Sequence, residues 1–288
     1  MGRASRTGID SFHRSSSAKL CAVGCDRPMQ HLAFERRGRG EPLLLLPGAG
    51  ADPCLWDAVA NRLAPSYELH LAEIAGFAGR PRGKGSLWPA VLDELVGYAS
   101  TLDTTIVVGH SWGGFLGWSL LVAGMNVKAG VVVDSMPALG ALLTKDRTAL
   151  DRAVNERVAR LRGVPPEALA RHLEPSIVAM TRSSEQADRV LALAARSDPE
   201  ALADAMQAAW LADLRPALAS VDSAVTLVLP GDEHLAPEVR AAKHALARQQ
   251  IEELPSHRVV AVPEAGHYVM LDQPEALASI IHDVAEAV

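Results

Sequence analysis

The ten residues Thr105-Ile106-Val107-Val108-Gly109-His110-Ser111-Trp112-Gly113-Gly114 constrain the fold of this chain more than any other stretch. A β-branched run ends in Gly-x-Ser-x-Gly and passes into Phe115-Leu116-Gly117-Trp118-Ser119-Leu120-Leu121-Val122-Ala123, which reads as a buried helix. Strand, sharp turn and helix in that order put a serine on a bend too tight for flanking side chains, hence Gly109 and Gly113. Ser111 is then presented at the carboxyl end of a strand, over the N-terminus of the next helix. Free N–H groups and partial positive charge there stabilise an oxyanion. Short Gly/Ser patterns recur by chance in loops, but this one has the strand and the helix it requires.

The 288 residues suit one α/β domain with an insertion, or at most two domains. A net charge of -6 and the absence of a Lys/Arg stripe argue against a nucleic-acid partner. No apolar run approaches the roughly 20 residues needed to cross a bilayer, so no membrane partner is expected. Cys21, Cys25 and Cys54 form neither a disulfide framework nor a zinc spacing. Reduced thiols in a cytoplasmic protein are the expectation. Residues 1–28, rich in Ser and Arg and without periodicity, read as a disordered or dispensable tail, with Met29 as an alternative start. The apolar stretch before Cys21 is too short for the h-region of a lipoprotein signal.

From Gln30 onward strands and helices alternate. His31–Glu35, Leu43–Leu46, Tyr67–Ala72, the run before Ser111, Gly130–Asp134, Val225–Leu229 and Arg258–Ala261 read as strands. Helices are expected from Leu55 through Leu63, over Leu87–Leu102, after Ser111 and from about Gln273. Between Met136 and about Ala219 the pattern is helical throughout. Leu150, Val154, Val158 and Leu161 share one face there, and Asp198-Pro199 caps a helix lined by Leu202, Met206 and Trp210. The implied architecture is α/β, with a mostly parallel central sheet, helices on both faces and a helical cap insertion. The core would comprise 29–135 and 221–288, and the cap 136–220, above the strand ends where open α/β sheets bind ligands.

At this level the chain resembles the α/β-hydrolase fold family from about residue 30 to the C-terminus. The resemblance rests on Leu43-Leu44-Leu45-Leu46-Pro47-Gly48, Gly76-Phe77-Ala78-Gly79, Gly109-His110-Ser111-Trp112-Gly113-Gly114, and Gly266-His267-Tyr268 followed by Pro274-Glu275. It implies a serine hydrolase of the capped esterase or lipase type. A serine hydroxyl needs a base to take its proton, and histidine has the right affinity for it near neutral pH. His267 occupies the position of the family's catalytic histidine, whereas His110, inside the turn motif, reads as packing. The oxyanion donors implied are the main-chain N–H groups of Trp112 and Ala49. Pro47 stands where the family usually has histidine.

The acid is where the sequence departs from the family pattern. Its usual position, three residues after the glycine that follows the penultimate strand, is His234 in Pro230-Gly231-Asp232-Glu233-His234. Histidine cannot orient His267 and compensate its charge as a carboxylate does. Three readings stay open: Asp134 at the end of the strand after the turn helix, a shifted Asp232 or Glu233, or no acid at all. Some relatives, including haloalkane dehalogenases and pancreatic-type lipases, carry their acid at the position of Asp134.

The expected activity is cleavage of a small to medium apolar carboxylic ester, thioester or lactone through an acyl-serine, with neither metal nor organic cofactor. Trp210, Met206 and Met136 are candidates to face the small-molecule substrate, although helical spacing favours ordinary packing for each. A ligand-binding module on the same fold, or a cofactor-independent lyase or cyclase, is an alternative that the fold alone does not exclude. Serine at 111 argues against epoxide hydrolases and dehalogenases, whose nucleophile is aspartate. The chain is compatible with a homodimer.

Overall fold

The computed structural model describes residues 29–102 and 105–288; the tail reading for 1–28, with Cys21 and Cys25, lies outside the described residues. Seven strands form one sheet: β1 (Leu32–Gly38), β2 (Glu41–Leu46), β3 (Tyr67–Ile74), β4 (Thr105–His110), β5 (Val127–Val133), β6 (Ala224–Pro230) and β7 (His257–Val262). Their order is β1-β3-β2-β4-β5-β6-β7, with β1 antiparallel to β3 and every other neighbour parallel. Leu43–Leu46 are all fully buried because both faces of the sheet are covered. Alternation divides them between two cores: Leu44 and Leu46 belong to one hydrophobic cluster, Leu43 and Leu45 to the other.

Helices α1 (Asp57–Leu63), α2 (Leu87–Ala99), α3 (Trp112–Val122), α4 (Arg147–Arg162), α5 (Leu169–Met180), α6 (Ser184–Ala194), α7 (Pro199–Leu211), α8 (Pro237–Gln250) and α9 (Pro274–Glu286) cover the sheet and its carboxyl edge. One face is packed by α1 and α9 through Val59, Leu63, Leu277 and Ile281. The other is packed by α2, α3 and α8 through Leu95, Phe115, Leu116 and Ala247. Helix α3 is buried on every side from Trp112 to Leu121, as a helix with no polar stripe must be.

Helices α4 to α7 stand between β5 and β6. On α4 the expected face, Leu150, Val154, Val158 and Leu161, is buried. The Asp198 carboxylate accepts the N–H groups of Glu200 and Ala201, and Pro199 occupies the first turn of α7. This helix is tied to the sheet: the Asp198 N–H donates to the Gly76 carbonyl at 2.7 Å, and the Ser197 hydroxyl accepts the Ala78 N–H at 2.9 Å. Met136, Met206 and Trp210 pack in the first cluster, with the Arg157 guanidinium 5.9 Å from the Trp210 ring. Leu55-Trp56 does not open an α-helix, since Pro53–Trp56 form a 3-10 turn and α1 begins at Asp57. Helix α8, which buries only Ala247 and Gln250, carries no motif and no apolar periodicity that predicts it.

Candidate active site

The site is built on four loops at the carboxyl edge of the parallel strands. Ser111 follows β4 with φ 53 and ψ -118, a conformation costly for a residue with a side chain. Its N–H donates to the Val133 carbonyl at 3.0 Å, and its carbonyl accepts from Phe115 at 3.0 Å, so strand and helix grip the bend from both sides. The flanking glycines are required by space. A methyl group on Gly109 would lie 2.3 Å from the Gly113 carbonyl oxygen, and one on Gly113 would lie 2.2 Å from that of Leu46.

The loop after β2 lies directly over this bend. A methyl on Gly48 would come 3.4 Å from the Ser111 Cβ and 3.1 Å from His110 Nδ1. Ala49 is exposed there although its neighbours Gly48 and Gly50 are buried. Among the described residues the main-chain N–H groups of Ala49 and Trp112 have no hydrogen-bond partner. Trp112 heads α3, where the first N–H groups lack intrahelical acceptors, and its ring packs edge-on against Phe77 at 5.3 Å.

His267 follows β7, and its Nδ1 lies 2.7 Å from the Asp134 Oδ2 at the end of β5. Of the three readings for the acid, the structure brings Asp134 to the imidazole. His234, at the usual acid position, and Glu233 are both exposed. Glu233 accepts the Glu264 N–H and pairs with Arg182. Asp134 is held at φ 42, and its side chain is only 7% exposed. Burial alone would raise its carboxyl, but the hydrogen bond and charge of His267, joined by Lys243, outweigh that and hold it well below the usual carboxylate range. An ionised carboxylate only accepts, so Nδ1 carries the proton and Nε2 has the free lone pair.

His110 does more than pack. It is buried, its Nε2 donates to the His267 carbonyl at 2.9 Å, and the two rings are 4.6 Å apart between centroids. The residue preceding Ser111 thus holds the loop that carries His267. Burial, and then the nearby His267, push His110 down to about 3, so it stays neutral and keeps a ring nitrogen to accept. Further support comes from Asp272, whose carboxylate accepts the Gly266 N–H at 2.8 Å and the Gln186 side-chain amide of α6 at 2.7 Å. Neither Asp272 nor Gln186 carries a motif, and only the fold reveals them.

Among the described residues no cluster of His, Cys, Asp and Glu could hold a metal ion, and Cys54 is a free thiol raised to about 11, chiefly by burial. No helix among them is long and apolar enough to cross a membrane.

Residues 43–280 match the Alpha/beta hydrolase family. The pimeloyl-acyl-carrier-protein methyl ester esterase of Pectobacterium atrosepticum is 25% identical over 90% of this chain and 100% of that protein. A shorter match, 40% identical over 55 residues, joins 19% of this chain to 22% of the esterase of the same name from Aeromonas salmonicida. The solved structure of a thermophilic esterase from Thermogutta terrifontis superimposes with a TM-score of 0.71 at 21% identity, covering 89% of this chain and 93% of that one. The match spans the serine bend, the Asp134 strand and the His267 loop alike, and the chain belongs to the alpha/beta hydrolase family.

Proposed function

We propose that this chain is a serine hydrolase that cleaves a small to medium apolar carboxylic ester, thioester or lactone through an acyl-serine. The observation that carries the reading is the 2.7 Å contact between His267 Nδ1 and Asp134, at the same carboxyl edge of the sheet where Ser111 is held at positive φ. In the proposed reaction the Ser111 Oγ attacks the carbonyl carbon while His267 Nε2 takes its proton. Asp134 orients the ring and offsets the imidazolium charge. The N–H groups of Trp112 and Ala49 receive the oxyanion. Collapse expels the alcohol or thiol, which leaves with the proton from His267. Water then repeats the sequence on the acyl-serine, releasing the acid and restoring the hydroxyl.

Esterases among both the sequence relatives and the solved neighbours support a carboxylic ester as substrate. Helices α4 to α7 serve as the lid. Its seat on the oxyanion loop supports this, since a methyl on Gly50 would meet Ala194 and Leu202 at 3.2 and 3.3 Å. A pure binding module draws its support from the missing acid after β6, whereas the Asp134–His267 contact supports the catalytic reading. The test is turnover of p-nitrophenyl esters with labelling by a fluorophosphonate. Wild type is expected to turn over and be labelled at Ser111, and Ser111→Ala to do neither. Equal background rates and no labelling would end the reading.

A further inference from the structure

Lys243 occupies a place that the proposed chemistry does not require. It projects from α8 and is half-buried, its Nζ 3.2 Å from Asp134 Oδ1 and 2.7 Å from Asp232 Oδ2. Both carboxylates are almost fully buried, at 7% and 4% side-chain exposure. Asp232 is itself held at φ 52, and its N–H donates to the Ala265 carbonyl at 3.0 Å, two residues before His267. The helix is anchored beside Lys243 by His244, whose Nε2 donates to the Pro230 carbonyl at 2.9 Å. The contacts form a chain: Asp232, Lys243, Asp134, His267.

We propose that Lys243 and Asp232 are a positioning pair for Asp134, the ammonium bridging it to a second buried carboxylate and so setting the negative charge that faces His267. This rests on the Ser111, His267 and Asp134 reading. The groups around the imidazole are few. Asp134 faces it from β5, His110 from β4 and Tyr268 from its own loop, while Asp272 binds the loop backbone at Gly266. His110 and Tyr268 are kept neutral across the working range by burial. Glu233, next to Asp232, turns away to Glu264 and Arg182. Within the chain Asp232, Lys243, Asp134 the charges are two carboxylates and one ammonium, a net single negative charge that a protonated imidazole would cancel.

Changing either partner shifts that balance in opposite directions. Without the ammonium the charges of Asp134, at the ring, and of Asp232 behind it are left uncompensated and favour the protonated imidazole. Without the Asp232 charge the ammonium cancels Asp134, and the protonated ring loses its compensation. A purely structural role would lower activity in both variants without giving the shifts opposite signs.

The experiment measures kcat/KM for a p-nitrophenyl ester against pH in wild type, Lys243→Met and Asp232→Asn, with fluorophosphonate labelling of each. The acidic limb is expected to move up in Lys243→Met, lowering kcat/KM on that side about tenfold for a displacement of one pH unit. In Asp232→Asn it moves down. Limbs that coincide with wild type, or that move the same way, overturn the inference while labelling at Ser111 leaves the hydrolase reading intact. Wild type that is neither labelled nor active overturns both. Should Lys243→Met fail to fold, the downward movement in the isosteric Asp232→Asn decides alone.

Discussion

At the residue scale, the proposed mechanism turns on which carboxylate touches His267. Asp134 meets the ring at 2.7 Å, whereas Asp232 reaches it only through Lys243. Asp134→Asn replaces an acceptor-only group by an amide, which can present a donor to Nδ1 and favour the unproductive tautomer. On the proposed mechanism a loss of about 10⁴ in kcat is expected, the size that follows when a triad aspartate is disabled. Asp232→Asn should fall short of that by orders of magnitude at the plateau of the pH profile, and single-turnover rates for the two variants compare them directly. Equal losses would mean that both carboxylates serve the ring. The bend at Ser111 and the loop that carries His267 are legible from order and context, because a strained bend needs glycines at fixed offsets and a loop histidine follows the last strand. The acid is not. A carboxylate can reach one imidazole from several strand ends, and only the pairing of β5 with β6 places Asp134 nearest. His110 packs as its place in the motif implies, but the carbonyl it donates to lies far along the chain at His267, so that contact leaves no local signal.

At the scale of elements, the strands were readable because a sheet covered on both faces demands uninterrupted apolar runs, as in Leu43–Leu46. Helix α8 was missed because its sequence, Pro237-Glu238-Val239-Arg240-Ala241-Ala242-Lys243, turns a mostly polar face to water and buries little beyond Ala247 and Gln250. Topology demanded it all the same, since parallel β6 and β7 need a crossover of a dozen residues or more. Helix α3 offers a test of how tightly an element is seated. A methyl on Gly113 strikes the β2 backbone at 2.2 Å, whereas one on Gly117 meets only the Val107 side chain at 3.4 Å. Gly113→Ala should therefore destabilise by about 3 kcal/mol, the upper range for overpacking. In Gly117→Ala the better helix propensity should contribute up to about 1 kcal/mol of added stability. Urea unfolding of both variants checks the pair, and a stable Gly113→Ala would mean that α3 slides along β2 more freely than the contacts imply.

For the whole molecule, stability and the site are linked through one buried ring. His110 lies at the centre of the sheet's carboxyl edge, joining the β4 bend to the β7 loop, and it is neutral in the folded chain down to about 3. In the unfolded chain it titrates near its ordinary 6.5. Between those values the unfolded state binds a proton that the folded state refuses. The stability that follows is complete above about pH 6.5 and is lost as the pH falls, by about 1.4 kcal/mol for each unit. The Asp134 carboxyl, depressed below its ordinary 3.8, adds a loss only at more acid pH, so measurements between pH 6.5 and 5 isolate the histidines. His70, also lowered by burial, contributes to the slope in wild type and variant alike. His110→Gln keeps an amide donor for the His267 carbonyl but cannot titrate. Its stability should start lower and fall less steeply over that window, by the slope of one proton. Urea midpoints taken at half-unit steps of pH read the difference, and parallel slopes would show that the ring accepts a proton in the folded chain, which its burial between β4 and the His267 loop forbids.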